Sequence, residues 1–220
     1  MHRSDSTPDS LRAAPSGSLE TREVRWFAPG PLPDDVAKWF MANGRAKTIE
    51  ERIDSYLLTG KPDIGIKRRE RSLLEVKWRT ARAGTAPLLG IGIGSIEHWT
   101  KVGQPHTADG PHGPWVDVEK VVLTERHVLE SDQGTATCEI EVASVSANGI
   151  SAWTLAFESF GPSALRPLVL NQAMDIFAAE RRRPAAFSHL ADSVGYPEWL
   201  ISMDAIGQDR YETRSELHPA

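Results

Sequence analysis

The stretch IGIKRRERSLLEVKWRT, residues 64–80, decides the fold class that this sequence predicts. It holds two runs of strand-forming residues, separated only by the dipeptide Arg-Ser at 71–72. So short a link predicts an antiparallel hairpin, because a parallel crossover needs about a dozen residues or more. Side chains alternate between the two faces of a strand. Glu75, Lys77 and Arg79 therefore share one face of the second run, and apolar residues share the other.

The same alternation recurs on both sides of this hairpin, with turns rich in Gly, Pro or Asp between the runs. The Gly- and Pro-rich stretch 84–114 is expected to be mostly loop around a single strand. Helical spacing appears in a short run through Val36 that Gly44 ends, in a longer run from Ser163, and near 186–193. Strands without alternating helices favour a barrel or a sandwich, so the predicted class is α+β and mainly antiparallel β. The predicted strands are 21–27, 49–58, 64–70, 73–80, about 93–102, 116–129, 136–145 and 150–160.

Length and composition limit the classes of protein to consider. We expect one domain over residues 20–205 with disordered tails at 1–19 and 206–220, because 220 residues suffice for one substantial core. No stretch approaches the roughly 20 apolar residues of a membrane span, and the first tail lacks the apolar run of a secretory signal. Cys138 is the only cysteine, which excludes an intrachain disulfide and favours a reducing, cytoplasmic location. A net charge of −5 argues against broad nucleic-acid binding, and nothing indicates an oligomeric state.

One face of the predicted sheet gathers charges of both signs. On the seventh strand, for example, Glu139 and Glu141 lie opposite Cys138 and Ile140. An antiparallel sheet with one solvated face has this pattern, and so does a closed barrel whose charged face lines the inside. If the helices cover the aromatic face, the charged face is either open to water or lines the inside of a closed barrel. In a closed barrel, the residues predicted to point inward are Arg25, Lys67, Arg69, Lys77, Glu139 and Glu141.

A barrel with the charged face inside and a barrel with the aromatic face inside predict different ligands. A lumen lined with Lys and Arg suits a phosphorylated polyanion, and clustered carboxylates suit a hard divalent cation such as Mg²⁺. The alternative is a non-catalytic, calycin-like barrel that binds a small organic ligand or a protein partner. That alternative predicts an enclosed cavity lined by Trp26, Trp78 and Trp153.

Several short motifs, in their order along residues 20–180, resemble the CYTH or triphosphate tunnel superfamily, which includes adenylate cyclases and thiamine triphosphatases. Two single positions, Lys120 and Arg126, fall where later basic strands of that superfamily would lie. The motifs are Glu23-Val-Arg25, Arg52-Ile-Asp54-Ser-Tyr56, Ile64-Gly-Ile66-Lys67-Arg68-Arg69, Leu74-Glu-Val76-Lys77 and Cys138-Glu139-Ile-Glu141.

The resemblance implies a fold, a ligand and an activity. It implies an eight-stranded antiparallel tunnel with flanking helices that binds triphosphate or a nucleotide-like phosphoanion with Mg²⁺ or Mn²⁺. A metal-dependent phosphohydrolase activity would follow, with Glu23 and Lys77 as the implied catalytic residues. The implied phosphate contacts are Arg25, Lys67, Arg69, Lys77, Lys120 and Arg126, and the implied metal ligands are Glu139, Glu141 and Glu158.

The first strand departs from the superfamily's Glu-x-Glu-x-Lys signature. In matching register this chain has Thr21, Glu23 and Arg25, so one carboxylate is absent and arginine replaces lysine. Arginine still binds phosphate, but as a planar fork rather than as a point charge. The substitutions therefore favour anion binding over catalysis.

Overall fold

The computed structural model describes residues 17–42, 47–69, 73–105, 111–180, 182–191 and 193–203. Eight antiparallel strands close into a barrel in the order β1-β5-β4-β3-β2-β6-β7-β8, with helices against its outside. The predicted α+β, mainly antiparallel fold, with a closed or nearly closed eight-stranded barrel and flanking helices, is confirmed, and the barrel is closed. The strands are β1 Leu19–Pro29, β2 Lys47–Leu57, β3 Ile64–Arg69, β4 Leu73–Leu88, β5 Gly92–Pro105, β6 Trp115–Ser131, β7 Gly134–Ala147 and β8 Ile150–Phe160. The helices are α1 Asp34–Ala42, α2 Arg166–Ala179 and a 3₁₀ helix at Ala185–His189, and residues 196–203 are also helical.

Local sequence explains the hairpins. Asn148 and Gly149 form the two-residue link between β7 and β8, and both have positive φ, 50° and 73°. Such turns match the twist of antiparallel strands and favour Asn-Gly. β3 and β4 pair antiparallel, as residues 64–80 predict, although their link at 70–72 lies outside the described residues. The predicted helix end at Gly44 and the predicted tail segments 1–16 and 206–220 also lie outside them.

The largest apolar layer lies between the outside of the barrel and the helices. Trp26, Trp153 and Phe157 point outward from β1 and β8, and each is at most 1% exposed. Phe177 of α2 meets Phe157 edge-on at 5.4 Å, and Phe187 of the 3₁₀ helix meets Trp153 at 5.8 Å. Burying one such side chain contributes about 1.5–3 kcal/mol. This layer holds the aromatic face on the outside of the barrel. The charged side chains, which lie on the other face of the strands, consequently point inward.

The alternative cavity of tryptophans is therefore not formed. Trp26 and Trp153 belong to the layer beneath the helices, and Trp78 is half-buried. Packing against Trp26 is so close that a Cβ atom at Gly94 would lie 2.3 Å from the indole and from Val24.

Strand β4 corrects the loop predicted from residue 84. It continues to Leu88, past irregularities between Arg79 and Ala81 and between Arg82 and Thr85. Extra residues at such irregularities break the two-residue period, which hides the second half of the strand from a periodicity analysis. The short helix predicted at 186–193 is also corrected, because the 3₁₀ helix ends at His189.

None of the helices in the described part of the chain has the length and apolar character that crossing a bilayer requires.

Candidate functional site

The inside of the barrel is a charged cavity of about 280 Å³, which we call the lumen. All ten residues that the sequence predicts as site residues line it, although their roles remain predictions. The charged residues of the lining are Glu23, Arg25, Glu50, Arg52, Lys67, Arg69, Glu75, Lys77, Lys101, Lys120, Arg126, Glu139, Glu141 and Glu158.

Four glutamates form a row across the barrel wall. Glu97 on β5 pairs with Glu23 on β1, Glu23 pairs with Glu158 on β8, and Glu158 pairs with Glu139 on β7. Directly opposite residues in antiparallel strands have Cβ atoms about 4.5–5.5 Å apart, and like charges there are destabilising. The row therefore requires cations against it.

Lys77 and Lys101 supply cations at the centre of the row. The Lys77 ammonium donates to Glu23 and lies 3.6 Å from Glu158, and the Lys101 ammonium lies 3.8 Å from Glu158. Burial opposes the charge on Lys77, but Glu158 and Glu23 outweigh it and raise the pKa of this lysine. Burial also opposes the charge on Glu158, but Lys101 and Lys77 outweigh this effect and hold the pKa of Glu158 far below its usual range. Lys77 and Glu158 are therefore charged at neutral pH.

Arg25 contacts both a glutamate of the lumen and the aromatic ring of Tyr196. Its Nη1 donates to Glu141 Oε1 at 2.7 Å and to Thr154 Oγ1 at 3.1 Å, and its guanidinium lies 4.7 Å from the centre of the Tyr196 ring. Only 7% of the Arg25 side chain is exposed. Burial disfavours both charges of the pair, yet Arg25 keeps the pKa of Glu141 below its ordinary value. The pair is thus ionised inside the barrel.

Asp54 is a fully buried carboxylate shared by several cations. Its Oδ2 lies 2.9 Å from Lys120 Nζ, 3.4 Å from Lys67 Nζ and 3.4 Å from Arg52 Nε. Lys120 also donates to Tyr56 Oη at 2.8 Å. Burial lowers the pKa of Lys120 to about 7, although Asp54 opposes the shift. Burial raises the pKa of Asp54, but the surrounding cations lower it by more, so its pKa lies below the ordinary value.

The helical segment 196–203 closes one end of the lumen. Trp199 stacks on Phe27 at 4.9 Å, and Tyr196 stacks on Tyr56 at 5.7 Å. The Tyr196 hydroxyl is buried and has no hydrogen-bond partner within the described residues. The charged residue Arg126, whose side chain is 69% exposed, marks the opposite, open mouth.

Several lumen residues were missed by the sequence prediction. Arg52 and Asp54 lie on the same face of β2 as Tyr56, so the alternation of side chains could have found them. Glu75 was placed on one face with Lys77 but was not assigned to the site. Tyr196 had no such signal, because it reaches the lumen from a segment outside the barrel.

The predicted metal ligands are each engaged by cations. Glu141 pairs with Arg25, Glu139 accepts from Arg126 Nε at 2.9 Å, and Glu158 lies between two lysines. Within the described ranges, no three His, Cys, Asp or Glu side chains are arranged to hold a metal ion. The donor type still fits a hard divalent cation, which prefers carboxylate oxygen. One oxygen of Glu158, Oε1, is buried without a hydrogen-bond donor among the described residues.

Fold and site together define a closed antiparallel β-barrel with a charged lumen. No family model matches the chain, and no curated protein matches it. A solved structure, that of the Pct1 RNA triphosphatase of S. pombe, is similar with a TM-score of 0.41 and 12% identity, covering 93% of this chain and 86% of that chain. Likeness at this level does not define a function.

Proposed function

We propose that the lumen binds the oligophosphate group of a small phosphoanion, such as a triphosphate or a nucleotide, together with Mg²⁺ or Mn²⁺. The observation that carries this proposal is the convergence of eight Lys and Arg side chains on one cavity of about 280 Å³. Charge-assisted hydrogen bonds from Lys and Arg are the strong contacts of phosphate sites, and Arg is well suited to bidentate ones.

The charge of the lumen supports a role for a divalent cation. Eight Lys and Arg face six Glu in the lining, and buried Asp54 adds a seventh carboxylate, which leaves one net positive charge. An oligophosphate carries several negative charges. The lumen by itself therefore neutralises such a ligand poorly, and a bound divalent cation would supply the remaining positive charge.

An exchange of ion-pair partners explains how the lumen residues bind both the phosphoanion and the divalent cation. A phosphate chain that engages Lys77 and Arg126 competes with Glu23, Glu158 and Glu139 for these cations. The three carboxylates occupy neighbouring register positions, so together they would hold the metal once they lose their cationic partners. When bound, Mg²⁺ or Mn²⁺ would neutralise phosphate oxygens and polarise the phosphoryl group.

The protein groups have separable tasks in this proposal. Arg25, Lys67 and Arg69 bind phosphate oxygens along the wall. The Tyr196 hydroxyl, which has no hydrogen-bond partner among the described residues, donates to the innermost one. Burial raises the pKa of Tyr196, so its phenol remains a donor at neutral pH. The apolar closed end requires that the ligand enter through the mouth near Arg126.

Calorimetric titration with tripolyphosphate, with and without Mn²⁺, tests binding. The Lys67→Gln variant should bind about tenfold more weakly, since a hydrogen bond to a charged group contributes about 1.5–3 kcal/mol. Lys38→Gln is the matched control, because this lysine on α1 has a side chain that is 81% exposed. An absence of binding by the wild-type protein with either Mg²⁺ or Mn²⁺ would refute the proposal.

Phosphate release from tripolyphosphate and nucleoside triphosphates, measured on the same samples, tests whether binding extends to hydrolysis. Turnover that disappears in the double variant Lys77→Ala, Glu139→Ala would establish a phosphohydrolase. Turnover that persists in this variant would assign it to a contaminant, and binding without turnover would identify a phosphoanion-binding protein.

A further inference from the structure

A second pocket of about 250 Å³ lies on the outer wall of the barrel, beside the start of α2. Arg22 of β1 and His98 of β5 contribute to it from the sheet, and Ser163 and Arg166 contribute from the helix side. Arg22 points outward because its neighbour Glu23 points into the lumen. This outer pocket shares one lining residue, Trp99, with the lumen.

Arg22 has no carboxylate partner at ion-pair distance among the described residues. Its Nη1 is instead 3.0 Å from His98 Nε2, and its Nε is buried without a hydrogen-bond partner there. Burial lowers the pKa of Arg22, which reports the cost of removing this charge from water. In the lumen, by contrast, Lys77, Arg25 and Lys120 each contact a carboxylate.

Arg166 adds a second guanidinium to the same pocket. Its Nη2 donates to Glu20 Oε2 at 2.7 Å, while its Nε is buried and has no partner in the described part of the chain. Glu20 is 62% exposed, so water screens much of its charge. Burial, Arg22 and Arg166 lower the pKa of His98, so the imidazole is neutral at pH 7 and can accept from Arg22. The pocket therefore has excess positive charge and unused donors.

We propose that this outer pocket is a second anion site, which takes a small tetrahedral oxyanion such as a phosphate or sulfate group. Two guanidinium groups from different elements offer donors to several oxygens of one ligand, a geometry that suits such anions. The adjacent N-terminal end of α2 adds a favourable dipole. This proposal does not rest on the function proposed for the lumen.

His98 provides a local readout, because its ring contacts Arg22 directly. Its side-chain NMR signals can be assigned with the His98→Gln variant and followed during titration with inorganic phosphate and with sulfate. Both anions should shift the His98 signals saturably, and chloride at equal ionic strength should not. Arg22→Gln and Arg166→Gln should each lower the affinity for the anion about tenfold, because each removes one charge-assisted contact.

Two control variants separate this site from other effects. Lys67→Gln, in the lumen, and Lys38→Gln, on the exposed face of α1, should leave the His98 response unchanged. Far-ultraviolet circular dichroism and melting temperature verify that each variant is folded. The proposal is overturned if His98 signals do not respond to phosphate or sulfate, if chloride acts equally, or if folded Arg22→Gln protein responds as the wild type does.

Discussion

On strand β8 the two faces of the barrel wall can be compared residue by residue. Trp153, Leu155 and Phe157 point outward into the layer beneath the helices, and each is at most 1% exposed. Glu158, on the alternate face, points into the lumen between two lysines. In this barrel, therefore, the main hydrophobic core lies outside the strands, and a cluster of charged side chains lines the inside.

The difference separates stability from recognition. The outer layer is held by the hydrophobic effect, which is non-directional and large. The lumen holds ion pairs, whose desolvation cost roughly cancels their attraction, so they contribute little net stability while both partners remain. Changes to the outer face should lower stability and leave affinity unchanged, whereas changes to the lumen should alter affinity.

The largest expected effect is the loss of an outer aromatic. Trp153→Ala should lower the free energy of unfolding by about 3–5 kcal/mol, because it leaves a cavity in the layer beneath the helices. Urea unfolding measures this loss, and Leu89→Ala, at a side chain that is 74% exposed, is the control. At a temperature where the variant is folded, its tripolyphosphate affinity should match the wild type. An affinity loss as large as that of Lys67→Gln would contradict the proposal that the outer layer determines stability and the lumen determines affinity.

Asp54 is the lumen position where stability should suffer most. Asp54→Asn leaves Lys120, Lys67 and Arg52 without their shared carboxylate, and breaking a buried pair costs about 3–5 kcal/mol. The neighbouring Glu51 is exposed on the other face of β2, so Glu51→Gln should change stability by less than about 0.5 kcal/mol. Equal effects of the two substitutions in urea unfolding would show that the cations do not depend on Asp54.

Lys120 should give the stability a pH dependence. Its pKa is about 7 in the folded protein and has the ordinary value of 10.5 when unfolded. Between these values the unfolded chain holds the proton and the folded chain does not. This residue's contribution to the free energy of unfolding therefore rises with pH from about 7 to 10.5. The difference in unfolding free energy between wild type and Lys120→Met should increase from about pH 6.5 to about pH 9. Lys38→Met, at a side chain that is 81% exposed, is the control, and a flat result for Lys120→Met would contradict the assignment.

The smallest expected effect concerns the glutamate row. Glu158→Gln removes one negative charge from the lumen, so tripolyphosphate should bind a few-fold more tightly without metal. The enhancement by Mn²⁺ should decrease at the same time, because one proposed metal ligand is lost. Calorimetry on Glu158→Gln and on Glu119→Gln, an exposed glutamate of β6, provides the comparison. An undiminished Mn²⁺ effect would exclude Glu158 as a ligand.

Parity explains how much could be predicted from the sequence. The alternation of Glu75, Lys77 and Arg79 with apolar residues indicated one charged face, and the same alternation on other strands placed Arg25 and Lys67 on that face. It did not predict the second half of β4, because the irregularities after Arg79 break the alternation on which parity depends.

The sequence by itself determined the strands, their antiparallel hairpins and the sorting of charged from aromatic side chains. These properties depend on neighbours in the chain, through turn chemistry and the two-residue period. Only the tertiary structure decided which face points inward, because that depends on α2 packing against the aromatic one. It also brought Tyr196 into the lumen and joined Glu97, Glu23, Glu158 and Glu139 in one row. The members of that row lie far apart in the chain, and strand register is a long-range property that local patterns do not encode.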